Sequence, residues 1–247
     1  MIKHRSRTRF AFLAISAAIT VGCATPTHDS GAMPDYHALV ASADRSAADR
    51  EIDARRNPEQ FLTFLGIRAG MKVLDIGAGG GYTTELLARA VGPTGVVYAQ
   101  NARARDALDE RLRKPVMKNV VSVVRPFDDP VPPEVNGLDL VTMVLFYHDT
   151  TYMDVDRAAM NRKIFQALRP GGHFVVVDHS AKAGDGTSVG QTNHRIEEAA
   201  LRKEVEAAGF RLVSEGNFLR NPNDPRDVHF RELKFPSDKF VLKFVKP

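Results

Sequence analysis

The chain has 247 residues, a net charge of +4, 43% apolar residues and a single cysteine, Cys23. That length suits one α/β domain with extensions and a substantial core, and one cysteine excludes any intrachain disulfide. The positive charge is local: residues 1–22 hold Lys3, Arg5, Arg7 and Arg9 and no acid, so the remainder balances 30 basic against 30 acidic side chains. A neutral domain gives no electrostatic ground for binding DNA or RNA, and no nucleic-acid partner is expected.

In chain order, the basic residues precede an apolar run from Phe10 to Val21, too short to span a bilayer. Such a pair reads as a secretory signal over residues 1–24. Gly22-Cys23-Ala24 resembles a bacterial lipoprotein signal, in which the cysteine is acylated, although Thr20 stands where leucine is preferred. Cleavage after Ala24 is the competing reading. The expected location is therefore the periplasm or a membrane-anchored lipoprotein, with the cytoplasm as the alternative. Residues 25–43, mixing Pro, Gly, Ser and Asp, read as a tether, which leaves 44–247 as the folded domain.

Within that domain, Ala47 to Leu65 reads as one or two helices broken near Pro58. Strand one is Lys72–Ile76. A helix bearing Leu86, Leu87, Ala90 and Val91 then stops at Gly92-Pro93. Strand two is Gly95–Ala99, its helix Arg105–Arg113, and strand three Val120–Val124. Strand four, Leu138–Phe146, is apolar enough to be buried on both faces. A helix ending at Leu168-Arg169-Pro170-Gly171-Gly172 leads to strand five, His173–Val177. A last long helix, Ile196–Ala208, stops at Gly209, and Phe210–Glu215 with Lys239–Lys246 reads as a terminal strand pair. Alternating strands and helices imply a parallel sheet covered on both faces.

The run Val73-Leu74-Asp75-Ile76-Gly77-Ala78-Gly79-Gly80-Gly81-Tyr82 places a carboxylate and a glycine turn where open α/β sheets bind ligands. A dinucleotide fingerprint would need glycine at position 82, and a phosphate loop would need a Gly-Lys pair, so both are excluded. The run resembles motif I of the class I S-adenosylmethionine (SAM) dependent methyltransferases, and Leu168 to Gly172 resembles the turn before their fifth strand. The resemblance extends from about Met71 to the C-terminus. It implies a Rossmann-like sheet, mostly parallel with a C-terminal antiparallel pair, and SAM as cofactor.

By that resemblance Asp75, Gly77, Gly79 and Gly81 cradle the methionine half of SAM. The family's ribose-binding acid after strand two is replaced by Gln100, which is either a neutral contact or a loop residue. After strand three, Phe127 and Asp128 stand where adenine contacts are expected; a plain surface turn is the other reading of Asp128. After strand four, Tyr147, His148 and Asp149 occupy the acceptor-proximal position, with His148 as a candidate general base, Asp149 as its orienting partner or the cap of the next helix, and Tyr147 facing the acceptor. Asp178-His179 and His194-Arg195 approach the same edge. His148, His179 and His194 show no i, i+4 ligand spacing, so no metal is expected. Arg220–Phe235 is a long insert and a candidate lid or partner surface.

These features imply a SAM-dependent methyltransferase acting on a small or lipid-like acceptor. The alternative is an exported, non-catalytic module of the same fold that binds an adenosyl-like or envelope ligand.

Overall fold

The computed structural model describes residues 1–2 and 31–247. The expected signal, Cys23 and the first part of the tether lie outside the described residues. No helix among the described residues is long and apolar enough to cross a membrane.

The tether ends earlier than the composition suggests. Helix α1 (Tyr36–Ala41) forms because the Asp35 side chain accepts from the Ala38 N–H. It docks because the buried Tyr36 hydroxyl donates to the Ile67 carbonyl at 2.6 Å. Helix α2 (Ala47–Arg56) is capped by Ser46, and α3 (Pro58–Leu65) begins with proline at its first position. The break between them is Asn57, in the left-handed region at φ +44, since proline disfavours a helical conformation in the residue before it.

The Rossmann-like sheet then unfolds as expected. It comprises β1 (Lys72–Ile76), β2 (Val96–Asn101), β3 (Val120–Val124), β4 (Leu138–Val144), β5 (Leu168–His179), β6 (Arg211–Gly216) and β7 (Lys239–Val245). Their spatial order is β3-β2-β1-β4-β5-β7-β6. All pairs from β3 to β5 are parallel, while β7 runs antiparallel between β5 and β6. Between the strands lie α4 (Tyr82–Val91), α5 (Asp106–Arg111), α6 (Arg157–Ala167), α7 (Gly190–Asn193) and α8 (Glu198–Glu206).

Strand alternation builds the two sides of the core. Leu74, Ile76, Phe174, Val176, Leu242 and Phe244 point to one face, where Met160 and Ile164 of α6 and Leu201 and Val205 of α8 cover them. Val73, Val175, Val177 and Val241 point to the other, under Leu62 of α3 and Leu86 and Leu87 of α4. The sheet order reverses between β1 and β4, so their carboxyl ends diverge and open a crevice there.

Three boundaries moved. Strand β2 runs on through Gln100 and Asn101, which pair with Val123 and Val124. Strand β4 stops short because Leu145 turns left-handed at φ +56. Strand β5 absorbs the Leu168–Gly172 segment expected as a turn, with a register shift opposite Leu138 to Leu140. An irregularity of this kind lets Pro170 and the positive-φ Gly171 enter the strand.

Candidate active site

The glycine turn after β1 holds Gly77, Gly79 and Gly81 at φ +68, +58 and +83, a region where side chains are strained. A Cβ on Gly77 would lie 2.7 Å from the Phe146 ring, and one on Gly81 2.8 Å from Leu108. A Cβ on Gly79 would meet nothing closer than 4.0 Å, so its backbone faces open space. Asp75 stands at the floor of the crevice, almost wholly buried, accepting from Thr84 Oγ1 at 2.6 Å and Thr142 Oγ1 at 2.9 Å. Burial pushes its carboxyl up to about 6, although both hydroxyls and the Arg56 charge pull the other way.

The cleft over this loop measures about 790 Å³, and Asp75, Gly77, Gly79, Arg56, Tyr82 and Glu110 are among its walls. That volume is typical of small-molecule sites. An open glycine cradle and a carboxylate floor suit a ligand that carries cationic centres on a compact body, as SAM does.

Two expected cofactor contacts are corrected. Gln100 is fully buried; its Oε1 accepts from the Gly77 N–H at 3.2 Å and its Nε2 donates to the Arg125 carbonyl at 2.6 Å. With both ends of the amide committed, it shapes the loop and does not meet the ribose. Its neighbour Asn101, which the sequence reading passed over, clasps the same turn by accepting from the Gly79 N–H at 2.9 Å. Phe127 is buried against Phe146, ring centroids 4.6 Å apart, and lies in the core. Asp128 follows it, half-buried, in the turn after β3.

A second cavity of about 760 Å³ adjoins the cleft, and Ile52, Arg56 and Leu145 belong to the walls of both. The left-handed Leu145 thus stands between them; strained backbone of this kind clusters at functional sites. Leu233, Phe235 and Pro236 supply apolar wall, and His148, Asp149, His179 and Lys239 supply polar groups. Its outer wall is the insert expected as a lid.

His148 is the second residue of a short 3₁₀ turn, Tyr147–Thr151. Its Nδ1 lies 2.6 Å from Asp178 Oδ1 and its Nε2 3.2 Å from Asp149 Oδ1. Burial lowers the imidazole's pKa, yet the two carboxylates outweigh it and raise the group to about 10. Asp178, wholly buried, also accepts the backbone N–H groups of His148 and His179, each at 2.8 Å. Asp149 was expected to orient His148; Asp178 takes that position, and Asp149 faces the opposite nitrogen. His179 is pushed well below the usual histidine range by burial and by the neighbouring His148 charge. It stacks on Phe230 at 4.1 Å. Burial, reinforced by Arg56, lowers Lys239 to about 8.

Tyr147 is removed from the acceptor site. Its phenol is fully buried on the other face of the sheet, donating to Glu204 Oε2 at 2.9 Å and accepting from Asn161 Nδ2 at 2.8 Å. Neighbours in such a turn cannot share one direction, so His148 faces the cavity and Tyr147 the core. The same division separates His194 from Arg195. His194 lines the cavity, while the buried Arg195 grips Asp224 at 2.8 and 3.1 Å and the carbonyls of Ser180 and Val228.

Fold and cleft together define a class I α/β protein of SAM-binding type. Comparison with known proteins agrees. Residues 47–215 match the family described as Methyltransferase domain, and the chain belongs to that SAM-dependent family. It is 34% identical over 186 residues to the ubiquinone/menaquinone biosynthesis C-methyltransferase UbiE of Pseudomonas aeruginosa, covering 74% of this chain and 65% of that protein. The protein of the same name from Shewanella pealeana is 33% identical over 214 residues, covering 84% and 77%. Among solved structures, a SAM dependent methyltransferase from Aquifex aeolicus superposes with a TM-score of 0.59 at 20% identity, over 81% of this chain and 98% of that one. The [4+2]-cyclase SpnF does so at 0.58 and 16%, over 81% and 82%. Likeness at such identities concerns the fold, and the cyclase shows that this fold hosts other reactions.

Proposed function

We propose that this methyltransferase transfers the methyl group of SAM to a small, lipid-like phenolic acceptor, a hydroquinone in kind. The observation that carries the reading is the junction at Ile52, Arg56 and Leu145, where the glycine cleft adjoins a cavity with apolar walls and titratable groups. The names of the relatives in Pseudomonas and Shewanella point to the same class of acceptor.

Bound SAM supplies an electrophilic methyl group on a sulfonium. The chain's own residues do the rest by positioning and proton transfer. Arg56 projects into the junction with its guanidinium over the Tyr82 ring, 5.1 Å from the centroid, and offers N–H donors to an anionic oxygen. Lys239, lowered to about 8, has an appreciable unprotonated fraction near neutral pH and takes the acceptor's hydroxyl proton. Loss of that proton raises electron density on the phenolic oxygen and the ring carbons beside it. Leu233 and Phe235 give the cavity an apolar wall on the side of the insert.

Calorimetric titration of the purified protein with S-adenosylhomocysteine, followed by labelled methyl transfer from SAM to a short-tailed hydroquinone, tests this. Wild type should bind and transfer label. Gly79→Arg should do neither while keeping its circular dichroism, and Lys239→Met should lose kcat more than KM. Binding without transfer to any hydroquinone would favour the non-catalytic module. Absence of binding would overturn the methyltransferase reading itself.

A further inference from the structure

Three side chains in the acceptor cavity bring polar atoms within 3.3 Å of one another. His194 Nδ1 lies 2.9 Å from Asp149 Oδ1, His148 Nε2 lies 3.2 Å from the same oxygen, and the two ring nitrogens are 3.3 Å apart. The Tyr152 hydroxyl donates to that oxygen as well, at 2.5 Å. Three groups thus crowd one carboxylate oxygen, and with both rings protonated on these nitrogens two N–H groups confront each other. A cation seated above the triangle, at bonding distance from each corner, removes the conflict, because all three atoms then act as donors of lone pairs.

We propose that His148, Asp149 and His194 form a binding site for a divalent first-row transition-metal ion. With metal–ligand bonds of about 2.1 Å, adjacent ligand atoms stand about 3.0 Å apart in octahedral geometry and about 3.4 Å apart in tetrahedral geometry. The separations of 2.9, 3.2 and 3.3 Å fall on that scale. Two histidines and one carboxylate form the facial set that leaves coordination positions open, and all three residues line the cavity.

The surroundings are built for it. Asp178 holds the far nitrogen of His148 at 2.6 Å, the outer-shell carboxylate that fixes ring orientation in metal sites. Tyr152 fixes Asp149 from outside. His194 is held in a left-handed conformation at φ +50, a strained state for a residue with a side chain. Next to it Arg195 is locked onto Asp224, which anchors the backbone from which the ring projects. The open positions would take an oxygen of the cavity's occupant. That last step rests on the proposed acceptor site, whereas metal binding does not.

The test uses the full-length protein, stripped with a chelator and titrated with Co²⁺ by calorimetry and visible absorption. One Co²⁺ per chain, with ligand-field bands and a raised Tm, is the expected result. His194→Ala and Asp149→Asn should each abolish the bands, and Asp178→Asn should weaken binding about 10–100-fold. Metal-free melting of each variant reports whether it folds, and one folded variant suffices for the comparison. No saturable binding in wild type, or bands unchanged in a folded variant, would overturn the site. S-adenosylhomocysteine titrated into the metal-free protein separates this outcome from failure of the methyltransferase reading.

Discussion

Asp75 shows what a buried carboxyl costs the fold. Its folded-state pKa is raised from 3.8 to about 6 by burial, which the bonds from Thr84 and Thr142 only partly offset. Because the folded value lies above the unfolded one, the neutral acid's contribution is complete below 3.8 and is lost as pH rises through about 6. Asp75→Asn keeps an acceptor for one of those hydroxyls and offers an amide N–H to the other, without the charge. Near pH 8 it should be more stable than wild type by about 1–3 kcal/mol, since one pKa unit is about 1.4 kcal/mol. The gap should close in urea melts carried out below pH 4. Affinity for S-adenosylhomocysteine should fall in the same variant. A wild type that is the more stable of the two at pH 8 would contradict this account. Motif I made Asp75 legible as a special residue; its engagement with Thr142, 67 residues away, was not.

Among the elements, the segment between β6 and β7 is the one whose order most needs explanation. Few apolar side chains anchor it, and a buried ion pair holds it. Arg195 Nη1 and Nη2 bind both oxygens of Asp224, which also accepts the backbone N–H groups of Arg226 and Asp238. Removing one partner of a buried pair leaves the other charge uncompensated, at about 3–5 kcal/mol. Asp224→Ala should destabilise the protein by that amount and raise hydrogen exchange first in residues 220–238. Uniform exchange across the sheet would mean that the pair supports the whole fold instead. Arg195 read from sequence as a pocket residue because it follows His194. The side chain's burial depends on an acid 29 positions later, beyond the reach of any local pattern.

At the scale of the whole molecule, a lipid-like acceptor would be met most easily at a membrane surface. We propose that residues 1–24 direct export and that acylation of Cys23 holds the domain there. One acyl chain binds membranes only marginally, while several form a stable anchor. Cys23→Ser should therefore move the protein from the membrane fraction to the soluble one or leave an uncleaved precursor. Mass spectrometry of the N-terminus distinguishes these, and full-length unmodified wild type in the cytosol would exclude the proposal.

The sequence by itself determined the sheet. Strand alternation, the apolar run from Leu138 and the glycine turn after Ile76 are local patterns, and local patterns fix element type and the edge where ligands bind. Tertiary structure alone decided which side chains face the ligand. Gln100 turned to the loop, Phe127 and Tyr147 to the core, and His148 to a cavity shared with Asp149 and His194. A side chain's direction depends on where the strand ends and which partner reaches it. Those partners came from positions 14 to 57 residues away, as with Tyr147, which meets both Asn161 and Glu204.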